Sequence, residues 1–444
     1  MKKFPNAFVI IIGVLLFAWL LTYMVPKGSF LRITDAETGT TTVVKNSYHV
    51  LDGTSLSLFD LLLAVPKGMA SSADVIVLIL LLGGCFYVIE KTGAMAQGLH
   101  KLTTLLEGRE RVGLLVVATL FTAAGASIGM QEEVIALMPV LLLFGKGLGY
   151  NAFTMLYASY GSTVIGSSFG PSNPFAVLLA QKEAGLPLLS GSGLRFGALL
   201  LAFAVWAIYL WYYAKRTKLP KMVMAESNTV LTFRSKMILI LLAATFSIVV
   251  YGLLFWEWGF HEITALFFGL GLVAGIVGNL GMEETSEAYI AGFKEMIFAA
   301  MIIGLADSIS VILEEGKIMD TLVYALFAPL QYLPASLSGV LMMLAHAVLH
   351  FPIPSYTGQA VMTMPILVPL SDLIGLSRQT CVLAFQYGAV LADLFVPTNG
   401  ALMAVLAISG IPFNQWIRFI ARPTVLIMAL AAMTLVYAVM VGYA

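Results

Sequence analysis

The chain has 444 residues, of which 60% are hydrophobic and only 11% are charged, and its formal net charge is zero. Soluble domains carry about 25% charged residues, so this composition excludes an ordinary soluble protein and predicts a chain surrounded by lipid. The zero net charge implies neither a nucleic-acid nor an acidic partner. The two cysteines, Cys85 and Cys381, lie in apolar runs and are interpreted as packing residues.

Apolar runs of about 20 residues recur along the chain and predict an all-α polytopic membrane protein. The first run, Phe4 to Tyr23, is long for a signal peptide and has no small-residue cleavage site after it, so we interpret it as a retained span. The polar segment Val25 to Ser57 is predicted to be external. A span over Val75 to Ile89 and a surface helix over Gly93 to Gly108 follow.

A re-entrant hairpin is predicted over about residues 112–146. The polar, glycine-rich sequence Gly125 to Glu133 interrupts this apolar stretch in its middle. Non-helical backbone is tolerated at membrane depth only inside protein or beside a cavity. Arg109 and Lys146 bracket the stretch and favour the cytoplasm, so we expect the hairpin to enter from there and to turn near Gly129.

A broken helix is predicted over about residues 151–185, because two prolines between Gly170 and Pro174 cannot continue a helix. The next span ends in the densest basic cluster of the chain, Lys215 to Lys221, which the positive-inside rule places in the cytoplasm. Residues 1–215 are interpreted as the first half of the protein. Residues 216–257 are interpreted as a cytoplasmic linker and one connecting span.

The second half, residues 258–444, is predicted to follow the same order. Its first elements are a span over Ile263 to Leu280, an amphipathic segment over Glu283 to Phe298, a span over Ala299 to Leu313 and a surface helix near Asp320 to Tyr332. A second hairpin is predicted over about residues 335–371, with its tip at Phe351 to Gln359. A second broken helix over about residues 378–411, interrupted from Pro397 to Gly400, and a last span, Val425 to Tyr443, complete the chain.

The two halves match at four places with a nearly constant offset. Two pairs of motifs lie 226 residues apart: Met138-Pro139 with Met364-Pro365, and Pro171-Ser172-Asn173 with Pro397-Thr398-Asn399. Tyr160-Gly161 and Tyr387-Gly388 lie 227 residues apart, and Gly185/Pro187 and Gly410/Pro412 lie 225 residues apart. Four ordered matches predict an internal repeat. Counting the spans makes the second repeat inverted, with a cytoplasmic N-terminus and a periplasmic C-terminus. Inverted repeats with broken helices at corresponding positions indicate a transporter site near the membrane midplane.

Short polar side chains at the two breaks are candidate substrate ligands: Ser172, Asn173, Thr398 and Asn399. The N-terminal ends of half-helices favour anions, whereas unwound carbonyls favour cations. Capping of the half-helices is the structural role expected of the same residues.

Glu132 and Glu133, at the first hairpin tip, are the sharpest functional signal. An acidic residue at mid-depth costs about 2.5–3.5 kcal/mol or more unless it is paired or solvated. These carboxylates suit Na⁺, H⁺ or the amino group of an amino acid, whereas a bare dicarboxylate would need Arg or Lys; a structural salt bridge or a tip in contact with water is the alternative. The second tip is neutral and suited to a carboxylate, through Ser355, Thr357, Gly358 and Gln359.

Asp393 and Asp307 are candidates for ion coupling or for structural pairing, and Glu132, Glu133, Asn173 and Asn399 are further ion-coupling candidates. His346 and His350 have the spacing of metal ligands on a helix. No third ligand is apparent, so packed, hydrogen-bonded histidines are expected. Apart from a coupling Na⁺ or H⁺, no cofactor or metal is predicted.

These motifs resemble those of the YfcC-type branch of the C4-dicarboxylate anaerobic carrier family, in the ion transporter superfamily, over nearly the whole chain. The segments that carry the resemblance are Gly129–Glu133, Asn173–Phe175, Pro354–Ala360, Thr363–Pro365, Ser377–Gln379 and Ala384–Gly388. The resemblance implies a scaffold domain, a mobile transport domain that holds both hairpins, a homodimer and elevator-type movement. Members of this branch are named as basic amino acid antiporters. The chain departs from the family pattern at Asn399, where relatives often have serine, and at Asp307, where several have arginine.

We therefore expect an inner-membrane secondary transporter, and not an enzyme, for a small amino acid or amino acid-like solute, such as a basic amino acid antiporter. The alternative is a Na⁺- or H⁺-coupled carboxylate carrier, in which the glutamates hold the ion and the helix breaks hold the anion. An intramembrane metalloprotease is disfavoured because the sequence from His346 to His350 lacks the glutamate of a His-Glu-x-x-His motif. A channel is disfavoured because paired hairpins suit alternating access better than an open pore.

Overall fold

The computed structural model describes residues 7–34, 41–44, 47–53, 55–220, 231–256 and 258–443. Parts of the predicted external segment and residues 221–230 of the predicted cytoplasmic linker lie outside these ranges. About 79% of the described residues are helical. The helices of the first half are α1 (Ala7–Met24), α2 (Leu58–Ser71), α3 (Ala73–Lys91), α4 (Ala94–Leu105), α5 (Glu110–Ile128), α6 (Glu133–Leu148), α7 (Ala152–Leu156), α8 (Ser162–Phe169), α9 (Leu179–Glu183) and α10 (Ser192–Arg216).

The remaining helices follow the linker. They are α11 (Phe233–Phe255), α12 (Phe260–Gly278), α13 (Gly281–Glu315), α14 (Met319–Phe327), α15 (Ala335–Leu349), α16 (Tyr356–Leu373), α17 (Arg378–Ala392), α18 (Gly400–Ile408) and α19 (Phe413–Met440). Within the described ranges, seven helices are long and apolar enough to cross a membrane: α1, α3, α5, α10, α12, α13 and α19.

The segment between α1 and α2, which the sequence predicts only to be polar and external, contains four short strands. β1 (Gly28–Ser29) pairs antiparallel with β4 (His49–Val50), and β2 (Arg32–Thr34) pairs antiparallel with β3 (Thr41–Val43). The β-branched threonine and valine of β3 have a high strand propensity.

Two further elements differ from the sequence prediction. The predicted amphipathic segment and span of the second half form one continuous helix, the 35-residue α13, which contains no proline that would break it. In the first half, α2 was not predicted; it precedes α3 with only Ser72 between them and begins with a capping box made by Ser57 and Asp60.

Each half contains a helical hairpin followed by an interrupted helix. In the first half α5 and α6 form the hairpin, and Gly129 turns the chain with a left-handed φ of 66°, which glycine adopts without strain. The interrupted helix continues from α7 through a π-helical turn (Tyr157–Gly161) to α8, and resumes after Asn173. In the second half α15 and α16 form the hairpin, and the interrupted helix is α17 and α18.

The helices pack in two groups. In the scaffold group, α13 packs along α1, α2 and α3, while α12 packs on α3 and α11. In the hairpin group, α5 packs along α8, α15 packs along α17, and α8 contacts α17. The groups meet where α13 contacts α18 and where α3 contacts α6.

The interrupted helices lie at the centre of the hairpin group. Every residue of α8, and every residue of α17 from Gln379 to Ala392, is buried. Glycine permits the closest of these helix contacts: a Cβ on Gly388 of α17 would lie 2.1 Å from the backbone oxygen of Met343 in α15. Small residues at such contacts let helix backbones approach closely.

Candidate functional site

A cavity of about 270 Å³ lies between the two helix groups. The hairpin group contributes residues of both hairpin turns and the start of α18, and the scaffold group contributes residues of α12, α13 and the α2–α3 junction. The polar side chains on its wall are Ser72, Gln131, Glu132, Asp307, Ser355, Tyr356, Thr357, Thr398 and Asn399. The two hairpin turns therefore converge on one place.

Six of the twelve candidate residues line this cavity. They are Glu132, Asp307, Ser355, Thr357, Thr398 and Asn399. The other six, Glu133, Ser172, Asn173, Gly358, Gln359 and Asp393, do not lie on its wall. Of these, Gln359 and Asp393 are fully buried directly behind it.

The two adjacent glutamates of the first turn have different surroundings. Glu133 accepts a hydrogen bond from the backbone N–H of Gln131 at 3.1 Å, and so closes the turn at the N-terminus of α6, where a carboxylate is favoured by the helix dipole. Glu132 is half-buried on the cavity wall and has no cationic partner among the described residues.

Asp307 reaches the same cavity from α13 and is half-buried. The structure gives it no hydrogen bond or ion pair in the described part of the chain. No Lys or Arg side chain is among the described residues on the cavity wall. The wall thus carries two carboxylates and no fixed positive charge to balance them.

The first helix break is held together by its own side chains. Asn173 Oδ1 accepts from the backbone N–H groups of Phe175 at 2.9 Å and Ala176 at 3.0 Å, which is a helix cap. Ser172 Oγ donates to the backbone oxygen of Ala126 at 3.0 Å. These bonds tie the break to the last turn of α5, and neither Ser172 nor Asn173 lines the cavity, although the neighbouring Phe175 does.

The second break opens onto the cavity. Asn399 Oδ1 accepts from the backbone N–H of Leu402 at 2.7 Å and caps α18, and Thr398 Oγ1 donates to the backbone oxygen of Phe351 at 2.6 Å. Gly400 and Ala401, the first residues of α18, lie on the wall. The first N–H groups of a helix lack an intrahelical acceptor, so this helix start offers donors to a bound anion.

Asp393 ends α17 and is completely buried. Its Oδ2 accepts from Gln131 Nε2 at 2.6 Å and from the Tyr356 hydroxyl. Its Oδ1 accepts from Asn399 Nδ2 at 2.5 Å and lies 2.7 Å from His350 Nε2. One carboxylate therefore joins both hairpins to the second break.

The two histidines of α15 are fully buried and belong to the same network. His350 Nδ1 lies 2.8 Å from Gln359 Oε1. Gln359 Nε2 in turn lies 2.9 Å from His346 Nδ1 and 3.0 Å from the backbone oxygen of His346. Polar contacts thus run without a gap from Asp393 to His346.

Sequence reasoning missed three members of this site, Gln131, Tyr160 and Tyr356, and it considered His350 only as a metal ligand or a packed, hydrogen-bonded residue. Tyr160 lies in the π-helical turn, and its hydroxyl is 3.3 Å from the Asp393 backbone oxygen and 3.2 Å from Asn399 Oδ1. π-Helical turns often occur at functional sites. A signal for His350 was present, because an ionisable residue inside a membrane segment is a functional hypothesis by default.

The model of the DcuC family, described as the C4-dicarboxylate anaerobic carrier, matches residues 4–440 of the chain. The chain belongs to the C4-dicarboxylate anaerobic carrier family. This membership confirms the family resemblance, and together with the apolar helices it makes the chain a multi-pass membrane transporter.

Two proteins similar to this carrier match nearly its whole length. The "Putative basic amino acid antiporter YfcC" of Escherichia coli K12 is 29% identical, over 99% of this chain and 97% of that protein. An uncharacterized protein of Haemophilus influenzae is 28% identical, over 94% of this chain and 93% of that protein.

Two solved structures align along most of the carrier's length at low identity. The YdaH transporter of Alcanivorax borkumensis is 13% identical with a TM-score of 0.47, covering 99% of each chain. MtrF of Neisseria gonorrhoeae, from a class of antimetabolite efflux pumps, is 15% identical with a TM-score of 0.44, covering 98% of this chain and 95% of that one.

Proposed function

We propose that this carrier is a secondary active transporter that exchanges a small cationic amino acid, or a similar solute, across the inner membrane. The observation that carries the proposal is the charge of the cavity wall, where Glu132 and Asp307 face one space without Lys or Arg among its described lining. Like charges in a partly dehydrated cavity repel one another and favour a cation between them. A basic amino acid supplies two cationic groups for these two carboxylates.

The rest of the wall suits the carboxylate end of such a solute. The exposed hydroxyls of Ser355 and Thr357 and the first N–H groups of α18 face the same cavity. Helix N-termini favour anions. The volume of about 270 Å³ is close to the lower end of ligand pockets, roughly 300–1,000 Å³, and suits a single amino acid.

A second candidate function is transport of a C4-dicarboxylate-like anion with Na⁺ or H⁺. The start of α18 favours it, because its N–H groups at Gly400 and Ala401 form an anion site on the wall. Glu132 and Asp307 would then hold the coupling cation. The absence of a basic side chain from the described wall ranks this candidate second, since dicarboxylates are best held by Arg or Lys.

We also propose that the two halves, residues 1–215 and 258–444, are inverted repeats that work by elevator-type alternating access in a homodimer. The order of hairpin, interrupted helix and final long helix is the same in both halves. The cavity lies between the scaffold group and the hairpin group, where a sliding movement would carry a bound solute. The basic residues at the end of α10, Lys215 and Arg216, support a cytoplasmic linker, a cytoplasmic N-terminus and a periplasmic C-terminus.

Uptake of labelled solutes into proteoliposomes tests the substrate class. We expect proteoliposomes preloaded with unlabelled L-arginine or L-lysine to accumulate labelled L-arginine, and succinate to compete poorly. Thermal-shift measurements on the purified protein serve as the binding test, because a ligand of the folded state raises its apparent stability. Stabilisation by succinate with Na⁺, and none by basic amino acids, would establish the second candidate instead.

A further inference from the structure

The hydrogen-bond network behind the cavity determines where one proton must lie. Gln359 Nε2 faces the backbone oxygen of His346, which can only accept, so the amide orientation is set by the structure itself. Gln359 Oε1 therefore faces His350 Nδ1 at 2.8 Å. Since an amide oxygen only accepts, His350 carries a proton on Nδ1.

The contact on the other side of the same ring requires a second proton between His350 and Asp393. His350 Nε2 is 2.7 Å from Asp393 Oδ1. The neighbouring Asn399 does not donate into this contact. Its Oδ1 accepts from the Leu402 N–H, and its Nδ2 donates to Asp393 Oδ1 itself. Without a proton between them, a nitrogen lone pair would face a carboxylate oxygen at hydrogen-bond distance.

An imidazolium facing a carboxylate satisfies the network completely. Asp393 then accepts four hydrogen bonds, from Gln131, Tyr356, Asn399 and His350, which fills the acceptor positions of an ionised carboxylate. Buried charges are found paired and hydrogen-bonded in this way.

We propose that His350 and Asp393 form the proton-binding site of this carrier, and that the proton leaves when a cationic solute occupies the cavity. In this step the Nε2–H bond of His350 breaks, the proton passes to water, and the ring keeps its Nδ1–H. The pair changes from zero net charge to −1. The assignment of the solute rests on the function proposed above, whereas the proton site rests on the hydrogen bonds alone.

The coupling follows from shared residues. Gln131, Tyr356 and Asn399 all line the cavity and all donate to Asp393. A solute that forms hydrogen bonds with these groups alters the hydrogen bonds of the His350–Asp393 pair. A negative charge left behind the wall also attracts a cation into the cavity. By linkage, a bound cation favours proton release as much as proton release favours the cation, which is the behaviour of an H⁺/solute antiporter.

Other titratable groups face the pair from each surrounding element. They are His346 of α15, Tyr356 of α16, Tyr160 of the π-helical turn, Glu132 and Glu133 of the first turn, and Asp307 across the cavity from α13. Gln359 donates to His346 Nδ1, so His346 is neutral in this arrangement and sets the orientation of Gln359. Glu132 is the rival proton acceptor, and its variant belongs in the test.

Calorimetric titration with L-arginine, in two buffers of different ionisation enthalpy, measures protons released per bound molecule. For the wild-type protein we expect about one proton per arginine. Proton release should be lost in His350→Gln and in Asp393→Asn. It should be retained in Glu132→Gln when the arginine concentration is high enough to saturate that variant. His261→Gln is the matched control, because this histidine is 82% exposed and lies 3.8 Å from Asp74. Unchanged proton release in both His350→Gln and Asp393→Asn, or a wild-type protein that binds arginine without releasing a proton, would overturn the proposal.

Nitrogen-15 NMR of histidine-labelled protein in nanodiscs tests the site without any solute. The sequence has five histidines, and His350→Gln assigns the signals of His350. At neutral pH we expect both ring nitrogens of His350 to be protonated, and Asp393→Asn to convert the ring to its neutral form while His261 is unchanged. A neutral His350 in the wild type would refute the proton site even if arginine binds. Protonated nitrogens with no arginine binding would refute only the proposed solute.

Discussion

Gln131 Nε2 lies 2.6 Å from Asp393 Oδ2, so a residue of the first hairpin turn is bonded to the end of α17 across 262 positions of sequence. Asp393 also accepts from Tyr356, the first residue after the second hairpin turn. The two hairpins of the carrier therefore share one buried acceptor. A change in the charge or position of this carboxylate therefore alters hydrogen bonds in both turns, next to the cavity between them.

Glu132→Gln should weaken L-arginine binding at least about tenfold, which corresponds to about 1.4 kcal/mol, because it removes one of two carboxylates from the cavity wall. Glu133→Gln is the matched control, since its carboxylate accepts from the Gln131 backbone N–H and Glu133 does not line the cavity. We expect Glu133→Gln to lower the thermal midpoint and to change binding by less than about threefold. Thermal-shift titration and proteoliposome uptake measure both effects. Wild-type uptake in both variants would contradict any role of these glutamates in transport.

Asp307→Arg should shift the preference of the cavity from cations to anions. The substitution replaces a carboxylate on α13 that has no partner in the described part of the chain with a guanidinium, which holds carboxylates through paired hydrogen bonds. We expect the variant to lose L-arginine uptake and to bind succinate, with Asp307→Asn losing the first property without gaining the second. Uptake of labelled L-arginine and thermal-shift titration with succinate measure the two properties separately, and exposed Asp52→Arg controls for net charge. Unaltered arginine uptake by Asp307→Arg would remove Asp307 from the site.

The sequence predicts interruptions at Gly129, at Gly170–Pro174 and at Pro397–Gly400, because glycine and proline interrupt apolar runs for local reasons that need no knowledge of packing. The helices of the structure stop at these places, while the repeat interpretation stays a prediction. The sequence also singled out Glu132 and Glu133 together, since a carboxylate in an apolar run requires a partner or water. It did not show that Glu132 lines the cavity and Glu133 does not, because the two residues differ by one position on a turn whose geometry depends on Gly129.

The buried network was less predictable from the sequence. His350, Gln359 and Asp393 come from α15, α16 and the end of α17, and their contacts depend on how these helices pack. The expectation of packed, hydrogen-bonded histidines at His346 and His350 is confirmed, but the sequence did not show that Gln359 is the partner of both. The β-strands after α1 were also missed, because two- and three-residue strands leave no periodic pattern.

Asn173→Ala and Asn399→Ala separate capping from solute binding. Each asparagine caps the second half of an interrupted helix, so we expect both variants to lose about 0.5–2 kcal/mol of stability. Only Asn399 also bonds Asp393 and lines the cavity. Asn399→Ala should therefore reduce L-arginine binding and proton release as well, whereas Asn173→Ala should reduce stability alone. Thermal midpoints and calorimetric titration measure the two properties, and equal losses of binding in both variants would contradict the placement of the site at the second break.

Gly388→Ala should destabilise the hairpin group by about 1–3 kcal/mol, because an added methyl group overpacks the contact between α15 and α17. Its Cβ would lie 2.1 Å from the backbone oxygen of Met343 and 2.7 Å from the Cβ of His346, and neither helix backbone can move aside cheaply. Gly339→Ala in α15 is the matched control, since its nearest neighbour would be 3.8 Å away; in a helix this change is stabilising by about 0.5–1 kcal/mol when space allows. Thermal unfolding of the purified variants measures both. Because the strained contact includes His346, we also expect Gly388→Ala to alter proton release. If Gly388→Ala were as stable as Gly339→Ala, α15 and α17 would not be packed as closely as described.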